Sequence, residues 1–171
     1  MTEEKNGAQR APTSRSVKLT VLAIAIAFVA ALGAANPAPA AAAGIKVVVI
    51  VGPVESSTSD YIRSAKRYAA QARSYGANVV EIYSPNATWA RVKAAAQGAK
   101  VVIYLGHGNG SPSPRSAFSR YTKDGFGLNA TPGNGNSNRK YYGEYYIRTG
   151  IKLAPNAVVV LNRLCYASGN S

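Results

Sequence analysis

The chain has 171 residues, of which 20 are Lys or Arg and 7 are Asp or Glu, giving a formal net charge of +13. This length allows one domain of ordinary size, and the charge favours contact with anionic polymers or headgroups over cationic ones. A single cysteine and a single histidine exclude an internal disulfide and a structural zinc site, and the sequence has no nucleic-acid-binding motif.

Residues 1–43 have the pattern of a secretory signal peptide. Four basic residues precede the uncharged apolar stretch LTVLAIAIAFVAALGAA, and a run of small residues follows it. We expect cleavage after Ala43, so that the exported protein begins at Gly44 and has no membrane span. An uncleaved anchor is the alternative, since 17 apolar residues lie at the lower limit for crossing a bilayer. Residues 44–171 retain 16 of the 20 basic residues and 5 of the 7 acidic ones.

Residues 44–106 alternate between apolar runs and helical patterns. Three apolar runs have the length of strands: residues 45–52, 77–84 and 100–106. The segments between them carry apolar residues at helical spacing and predict helices within residues 57–76 and 86–99. This β-α-β-α-β order predicts an α/β fold in which helices cover a parallel sheet.

The regular pattern stops at residue 107. Residues 107–140 are rich in Gly, Asn, Ser and Pro and predict a long loop, either functional or disordered. The segment YYGEYYIRTG, residues 141–150, predicts a short helix or an irregular turn. Its tyrosines either pack against the sheet or contact a sugar. Residues 156–165 have the composition of a fourth, buried strand.

The only histidine and the only cysteine each follow an apolar strand. His107 comes directly after the third predicted strand, and Cys165 ends the fourth. Parallel sheets place ligands and catalytic groups beyond the carboxyl ends of their strands. If these two strands are neighbours, about 4.8 Å apart, the two side chains face one cleft. The alternatives are a turn histidine bonded to backbone carbonyls and a small buried thiol.

The segments VVIYLGHG and AVVVLNRLCYASG resemble the caspase-like cysteine peptidases, the group that includes caspases, legumain and gingipain. The separation of 58 positions between His107 and Cys165 is compatible with that family. The resemblance covers residues 45–171. It implies that Cys165 is the nucleophile, as a thiolate, and that His107 is the general acid and base. It also implies an oxyanion hole formed by the backbone N–H groups of Gly108 and Cys165, with no metal or organic cofactor.

The sequence departs from the family pattern at three places. Arg163-Leu164 stands where many members have Gln-Ala or Glu-Ala, and residues 107–140 are richer in Gly and Asn than the corresponding caspase loop. Family members continue with further strands beyond the position of Ser171, so we expect a truncated domain whose fourth strand is an open edge.

The complete expectation is a caspase-like three-layer α/β/α sandwich with a parallel sheet in the order 2-1-3-4. Its expected function is that of an exported cysteine endopeptidase acting on a peptide or protein substrate. The alternative is a binding module without catalytic activity, in which the loop and the tyrosines contact cell-wall glycan, an anionic cell-surface polymer or another protein. Nucleotide binding and serine hydrolysis are not expected, because the G-x-G-x-x-G and G-x-S-x-G patterns are missing.

Overall fold

A computed structural model describes residues 44–112 and 116–164 of the chain. The predicted signal peptide and the predicted nucleophile, Cys165, lie outside these residues. The strands are β1 (Lys46–Val51), β2 (Asn78–Tyr83), β3 (Val101–Leu105), β4 (Phe126–Asn129), β5 (Arg139–Tyr142) and β6 (Val158–Asn162). The α-helices are α1 (Thr58–Ser74), α2 (Trp89–Ala96) and α3 (Glu144–Gly150), and a 3-10 turn spans Glu55–Ser57.

Four of the strands form a parallel sheet in the order β2-β1-β3-β6. The predicted α/β fold and parallel sheet are confirmed, and so is the predicted strand order, because β6 is the fourth predicted strand. In the register of the sheet, Val51 lies beside Leu105, and Leu105 lies beside Asn162. The carboxyl ends of β1, β3 and β6 therefore lie side by side at one end of the sheet, which we call its carboxyl edge.

The two faces of β1 belong to two separate apolar clusters. Val47, Val49 and Val51 cluster with Ala65 and Ala69 of α1. The intervening residues Val48 and Ile50 cluster with Val92 of α2 and with two side chains of β4, Phe126 and Leu128. Residues 47–51 are all buried, as the continuous apolar run of a central strand predicts.

The helices agree with the predicted pattern. Helix α1 ends one residue before Tyr75, and Gly76 follows with a φ of +80°, the left-handed conformation that glycine adopts at low cost after a helix. The segment YYGEYYIRTG contributes its first two residues to β5 and its last seven to α3. Among the helices of the described residues, none has the length and apolar composition needed to cross a bilayer.

Residues 107–140 are not a continuous loop. This segment contains β4 and the first two residues of β5, which pair as an antiparallel hairpin. The four residues of β4 are all buried, and its Phe126 and Leu128 fill the core beside α2. The sequence does not indicate this hairpin, because β4 is only four residues long with a glycine, and β5 begins with two basic residues.

The expectation that the fourth strand is buried is wrong. Val158, Val159, Val160 and Leu161 are 55%, 45%, 39% and 43% exposed. Within the described residues β6 pairs only with β3, so it forms an edge of the sheet. An apolar run of five residues predicts a strand, but it does not tell whether a neighbour covers that strand.

Candidate active site

His107 lies two residues beyond the end of β3, at the carboxyl edge of the sheet. Its side chain is one-third exposed, and Nε2 lies 2.8 Å from Oε2 of Glu55. Glu55 begins the 3-10 turn that follows β1, the strand next to β3. The parallel arrangement of these two strands thus brings together two side chains that are 52 positions apart in the sequence.

The Glu55 carboxylate joins three segments of the chain. Its Oε1 accepts a hydrogen bond of 2.5 Å from Arg139 in β5, while Oε2 contacts His107. The Glu55 backbone N–H donates to the carbonyl of Asn136 at 3.2 Å. The hydrogen bond from His107, aided by Arg139 and opposed by partial burial, holds the pKa of Glu55 below its ordinary value of 4.5. This carboxylate is therefore ionised at neutral pH.

The contact with Glu55 fixes the hydrogen on the imidazole ring. An ionised carboxylate only accepts hydrogen bonds, so Nε2 of His107 must carry the hydrogen. In the neutral ring the lone pair then lies on Nδ1. Nδ1 is consequently the atom of His107 that is able to accept a proton from another group.

The hydroxyl of Tyr104 forms a hydrogen bond with the backbone of His107. Tyr104 is fully buried, and its Oη lies 3.0 Å from the carbonyl oxygens of both His107 and Gly127. The same oxygen accepts a 2.9 Å hydrogen bond from the Gly127 N–H. Burial raises the pKa of Tyr104, so the hydroxyl keeps its proton and remains a donor. Tyr104 thereby links β3, His107 and the β4 hairpin.

The end of β6 is tied to α1. The hydroxyl of Tyr61 donates to the Arg163 carbonyl at 3.1 Å, and the Arg163 guanidinium lies 5.4 Å from the centre of the Tyr61 ring. Leu164 packs against the apolar cluster on the other face of the sheet. The two residues that precede Cys165 are therefore held in place by separate contacts.

The predicted dyad and oxyanion hole are only partly within the described residues. His107 and Gly108 follow β3 at the carboxyl edge of the sheet, where the neighbouring β6 also ends. Cys165, which is both the predicted nucleophile and the second predicted oxyanion donor, lies outside them. The pairing of His107 with Cys165 therefore stays a prediction.

Two unusual backbone conformations occur at this edge. Among the described residues, four that are not glycine have a positive φ: Glu55, Asp124, Asn156 and Arg163. Asp and Asn tolerate this conformation because their short side chains bond locally, whereas Glu and Arg do so less readily. Glu55 and Arg163 follow β1 and β6, the strands on either side of β3. Such strain, of about 1–3 kcal/mol for each residue, is concentrated at functional sites in proteins.

The predicted tyrosine cluster packs together with Trp89. The rings of Tyr142 and Trp89 stack at 5.2 Å with an interplanar angle of 13°, and Tyr146 meets both of them edge-on. The Arg120 guanidinium lies 4.8 Å from the centre of the Tyr145 ring. Neighbouring side chains thus occupy ring faces that a sugar would need for stacking, and the glycan-binding hypothesis stays a prediction without support from this geometry.

Sequence reasoning missed Glu55, Arg139 and Tyr104. Glu55 follows β1 by four residues, so the rule that selected His107, namely its place after a parallel strand, also applies to it. Arg139 and Tyr104 have no comparable signal, because the first lies in an unpredicted hairpin and the second in an apolar strand.

The described residues contain no group of three or more His, Cys, Asp or Glu side chains placed to hold a metal ion. Comparison of the chain with protein-family models, curated proteins and solved structures found no match. Fold and site define an α/β protein with a His107–Glu55–Arg139 cluster at the carboxyl edge of its parallel sheet.

Proposed function

We propose that the chain is a cysteine peptidase of the caspase-like kind, in which Cys165 attacks the substrate and His107 transfers the protons. The observation that carries the proposal is the adjacency of β3 and β6, which end at the same edge of the sheet. Neighbouring strands lie about 4.8 Å apart, so the segments that follow their ends begin side by side. The orientation of His107 by Glu55 supports the same role, because it leaves Nδ1 free to act as a base.

In the proposed reaction, the Cys165 thiol transfers its proton to Nδ1 of His107. The thiolate sulfur then forms a bond to the peptide carbonyl carbon while the π electrons move to oxygen. The N–H groups of Gly108 and Cys165 donate to that oxygen. When the electrons return, the C–N bond breaks and the amine leaves with the proton from His107. Water hydrolyses the thioester, with His107 taking a proton from the water and returning it to the sulfur.

The proposal includes a three-layer sandwich and export. The packing of α1 and of α2 on opposite faces of β1 supports the sandwich. The basic, apolar and small-residue regions of residues 1–43 support export through a signal peptide. The proposed substrate is a peptide or a protein.

The first experiment measures how fast iodoacetamide alkylates Cys165 between pH 5 and pH 9. The chain has one cysteine, so the label reports a single site. We expect rapid alkylation well below the ordinary thiol pKa of about 8.5. We also expect His107→Ala to abolish the rapid reaction. Gln71→Ala, on the exposed surface of α1, is the control variant that should leave the rate unchanged.

A second measurement separates a reactive thiol from a peptidase. The natural chain should hydrolyse members of a peptide library, and Cys165→Ala should hydrolyse none. Slow alkylation that is independent of His107 would contradict the dyad and favour a structural cysteine. Fast, histidine-dependent alkylation without hydrolysis of any peptide would contradict the peptidase activity alone.

A further inference from the structure

The exposed edge formed by β6 carries apolar side chains on both of its faces. In register with β3, Val158 and Val160 lie on the face covered by α1, and Val159 and Leu161 lie on the opposite face. All four are between 39% and 55% exposed. Proteins normally protect an edge strand with charge, proline or a covering element. The sequence of β6, VVVLN, has neither charge nor proline.

The other edge of the sheet differs from β6. In β2, Ile82 is buried and the two valines are half-buried. Glu81 bears a carboxylate on that strand, and it accepts hydrogen bonds from Arg73 and Tyr83. The β2 edge, with its charged and hydrogen-bonded Glu81, is thus protected in the usual way. Of the two edge strands of the sheet, β6 is the one with a row of exposed aliphatic side chains.

The backbone of β6 has hydrogen-bonding groups that face away from the sheet. The Val158 N–H donates to the Lys100 carbonyl at 2.9 Å. In a parallel ladder alternate residues bond to the neighbouring strand, so the Val160 N–H also faces β3. The N–H and C=O groups of Val159 and Leu161 therefore face outward, where an added strand would bond to them.

A groove runs beside this edge. Tyr68 and Ala72 of α1, together with Tyr75 just after that helix, line it on one side and Val160 lines it on the other. The groove encloses about 330 Å³ and is open to solvent. Successive side chains of a strand point to opposite faces. A strand added beside β6 would therefore place every second side chain next to this groove.

The charge of the protein selects the kind of strand that binds. The described residues include 15 Lys or Arg and only 5 Asp or Glu. Each of these five acidic side chains already has a partner among the described residues. Four form ion pairs, Asp60–Arg63, Glu81–Arg73, Glu55–Arg139 and Glu144–Arg148, and Asp124 accepts a hydrogen bond from the Ser111 N–H. A second copy brings the same excess of positive charge and is repelled, whereas an acidic segment is attracted.

We propose that β6 binds an extended acidic peptide segment of another protein, which adds to the sheet as a fifth strand. Its main chain bonds to Val159 and Leu161, and alternate side chains enter the groove beside Val160. Such strand addition derives affinity from backbone hydrogen bonds and specificity from the alternate side chains. The proposal does not depend on Cys165 or on peptidase activity.

The test measures binding of a fluorescein-labelled heptapeptide that alternates glutamate and valine, using fluorescence anisotropy with the full chain. We expect saturable binding that weakens as salt is added, and binding at least about tenfold weaker for the same peptide with lysine in place of glutamate. Val159→Pro removes an outward N–H without removing a bond to β3, so it should weaken binding by about tenfold or more.

Two further variants keep the test decisive if Val159→Pro does not fold. Val160→Glu places a like charge at the groove and should also weaken binding by about tenfold. Val159→Thr retains the N–H and a branched side chain, so it should bind as the natural chain does. Circular dichroism establishes that each variant is folded.

Three results would overturn the proposal. The first is failure of the acidic peptide to bind, or binding that Val160→Glu and a folded Val159→Pro leave unchanged. The second is a concentration-dependent dimer in sedimentation that Val159→Pro abolishes, because a second copy then occupies the edge. The third is slow hydrogen exchange at Val159 and Leu161 in the free monomer, since residues of the same chain would then cover the edge.

Discussion

Nε2 of His107 and Oε2 of Glu55 lie 2.8 Å apart, although the two residues follow different strands of the sheet. The neighbouring positions of β1 and β3 bring them together, and Arg139 holds the other carboxylate oxygen of Glu55. Because the carboxylate is fixed on both sides, it restricts rotation of the imidazole ring. Glu55 is therefore a positioning residue for His107 in the proposed reaction.

Replacement of Glu55 should slow the alkylation of Cys165. In Glu55→Ala the imidazole loses the acceptor for its Nε2–H, and we expect the rate to fall about tenfold. That factor corresponds to about 1.4 kcal/mol, close to the contribution of a hydrogen bond to a charged group. Glu55→Gln retains an oxygen acceptor without the charge, so its alkylation rate should lie between those of the natural chain and Glu55→Ala. The measurement is the iodoacetamide rate at one pH for all three chains.

Glu144→Ala provides the matched control for this series. Glu144 is also an acidic residue paired with an arginine, but its carboxylate lies 3.9 Å from Arg148 of the same helix, α3, and is not the acceptor of the His107 hydrogen bond. We expect its rate to equal that of the natural chain. Equal rates for Glu55→Ala and the natural chain would show that Glu55 does not position His107.

The Glu55 contacts should also make the stability depend on pH. Because the folded-state pKa of Glu55 is lowered, chiefly by the His107 hydrogen bond, folding favours its ionised form. The stabilisation is fully present above the ordinary, unfolded-state pKa of 4.5 and is lost as the pH falls through the lowered folded-state pKa. Urea unfolding from pH 6 to pH 3 should therefore show the natural chain losing its advantage over Glu55→Gln. An advantage that persists at the acidic limit would contradict this assignment.

The sequence predicted the sheet because its strands have a simple pattern. The runs around Val49, Ile82 and Ile103 are apolar, have the length of strands, and alternate with helical segments. That order is enough to predict parallel pairing, since a crossover helix separates each strand from the next. The β4 hairpin could not be predicted, because its burial comes from tertiary packing of Phe126 and Leu128 against α2 and not from a local pattern.

The candidate site was predictable to a smaller extent. His107 was accessible to sequence reasoning because it is the only histidine and directly follows a strand. Its contacts are long-range: Arg139 approaches from the unpredicted hairpin, and the Tyr104 hydroxyl reaches both the His107 and the Gly127 carbonyls. Such contacts depend on how strands and loops meet in three dimensions, which the residue pattern of one strand does not specify.

Tyr104→Phe should lower the free energy of unfolding by about 1–3 kcal/mol, because the buried N–H of Gly127 loses its acceptor. The shape of the side chain is otherwise retained, so the core packing changes little. Tyr83→Phe is the matched control. It removes a hydroxyl that bonds to Glu81 at a half-buried position, and it should cost less. Urea unfolding measures both variants, and equal losses would contradict the role of the Tyr104 hydroxyl.

Gly52→Ala should disturb the contact between β1 and the β4 hairpin. A Cβ atom at residue 52 would lie 2.1 Å from the Gly127 carbonyl oxygen, far inside van der Waals contact. Neither backbone moves freely, because the Gly52 N–H bonds to Leu105 at 2.9 Å and Gly127 bonds to the Tyr104 hydroxyl. We therefore expect a loss of about 3 kcal/mol or more, at the upper end of the usual cost of overpacking.

Gly133→Ala separates this crowding from the general cost of replacing a glycine. Gly133 has a φ of +73°, and a Cβ atom there would meet nothing within 4 Å. Its replacement should cost only the strain of placing alanine in a left-handed conformation, about 1–2 kcal/mol. Urea unfolding compares the two variants. We expect Gly52→Ala to lose more free energy of unfolding than Gly133→Ala. We also expect slower alkylation of Cys165 in Gly52→Ala, because the displaced Gly127 shares the Tyr104 hydroxyl with the His107 backbone. Equal losses of unfolding free energy in the two variants would show that the hairpin shifts to make room for the added methyl group.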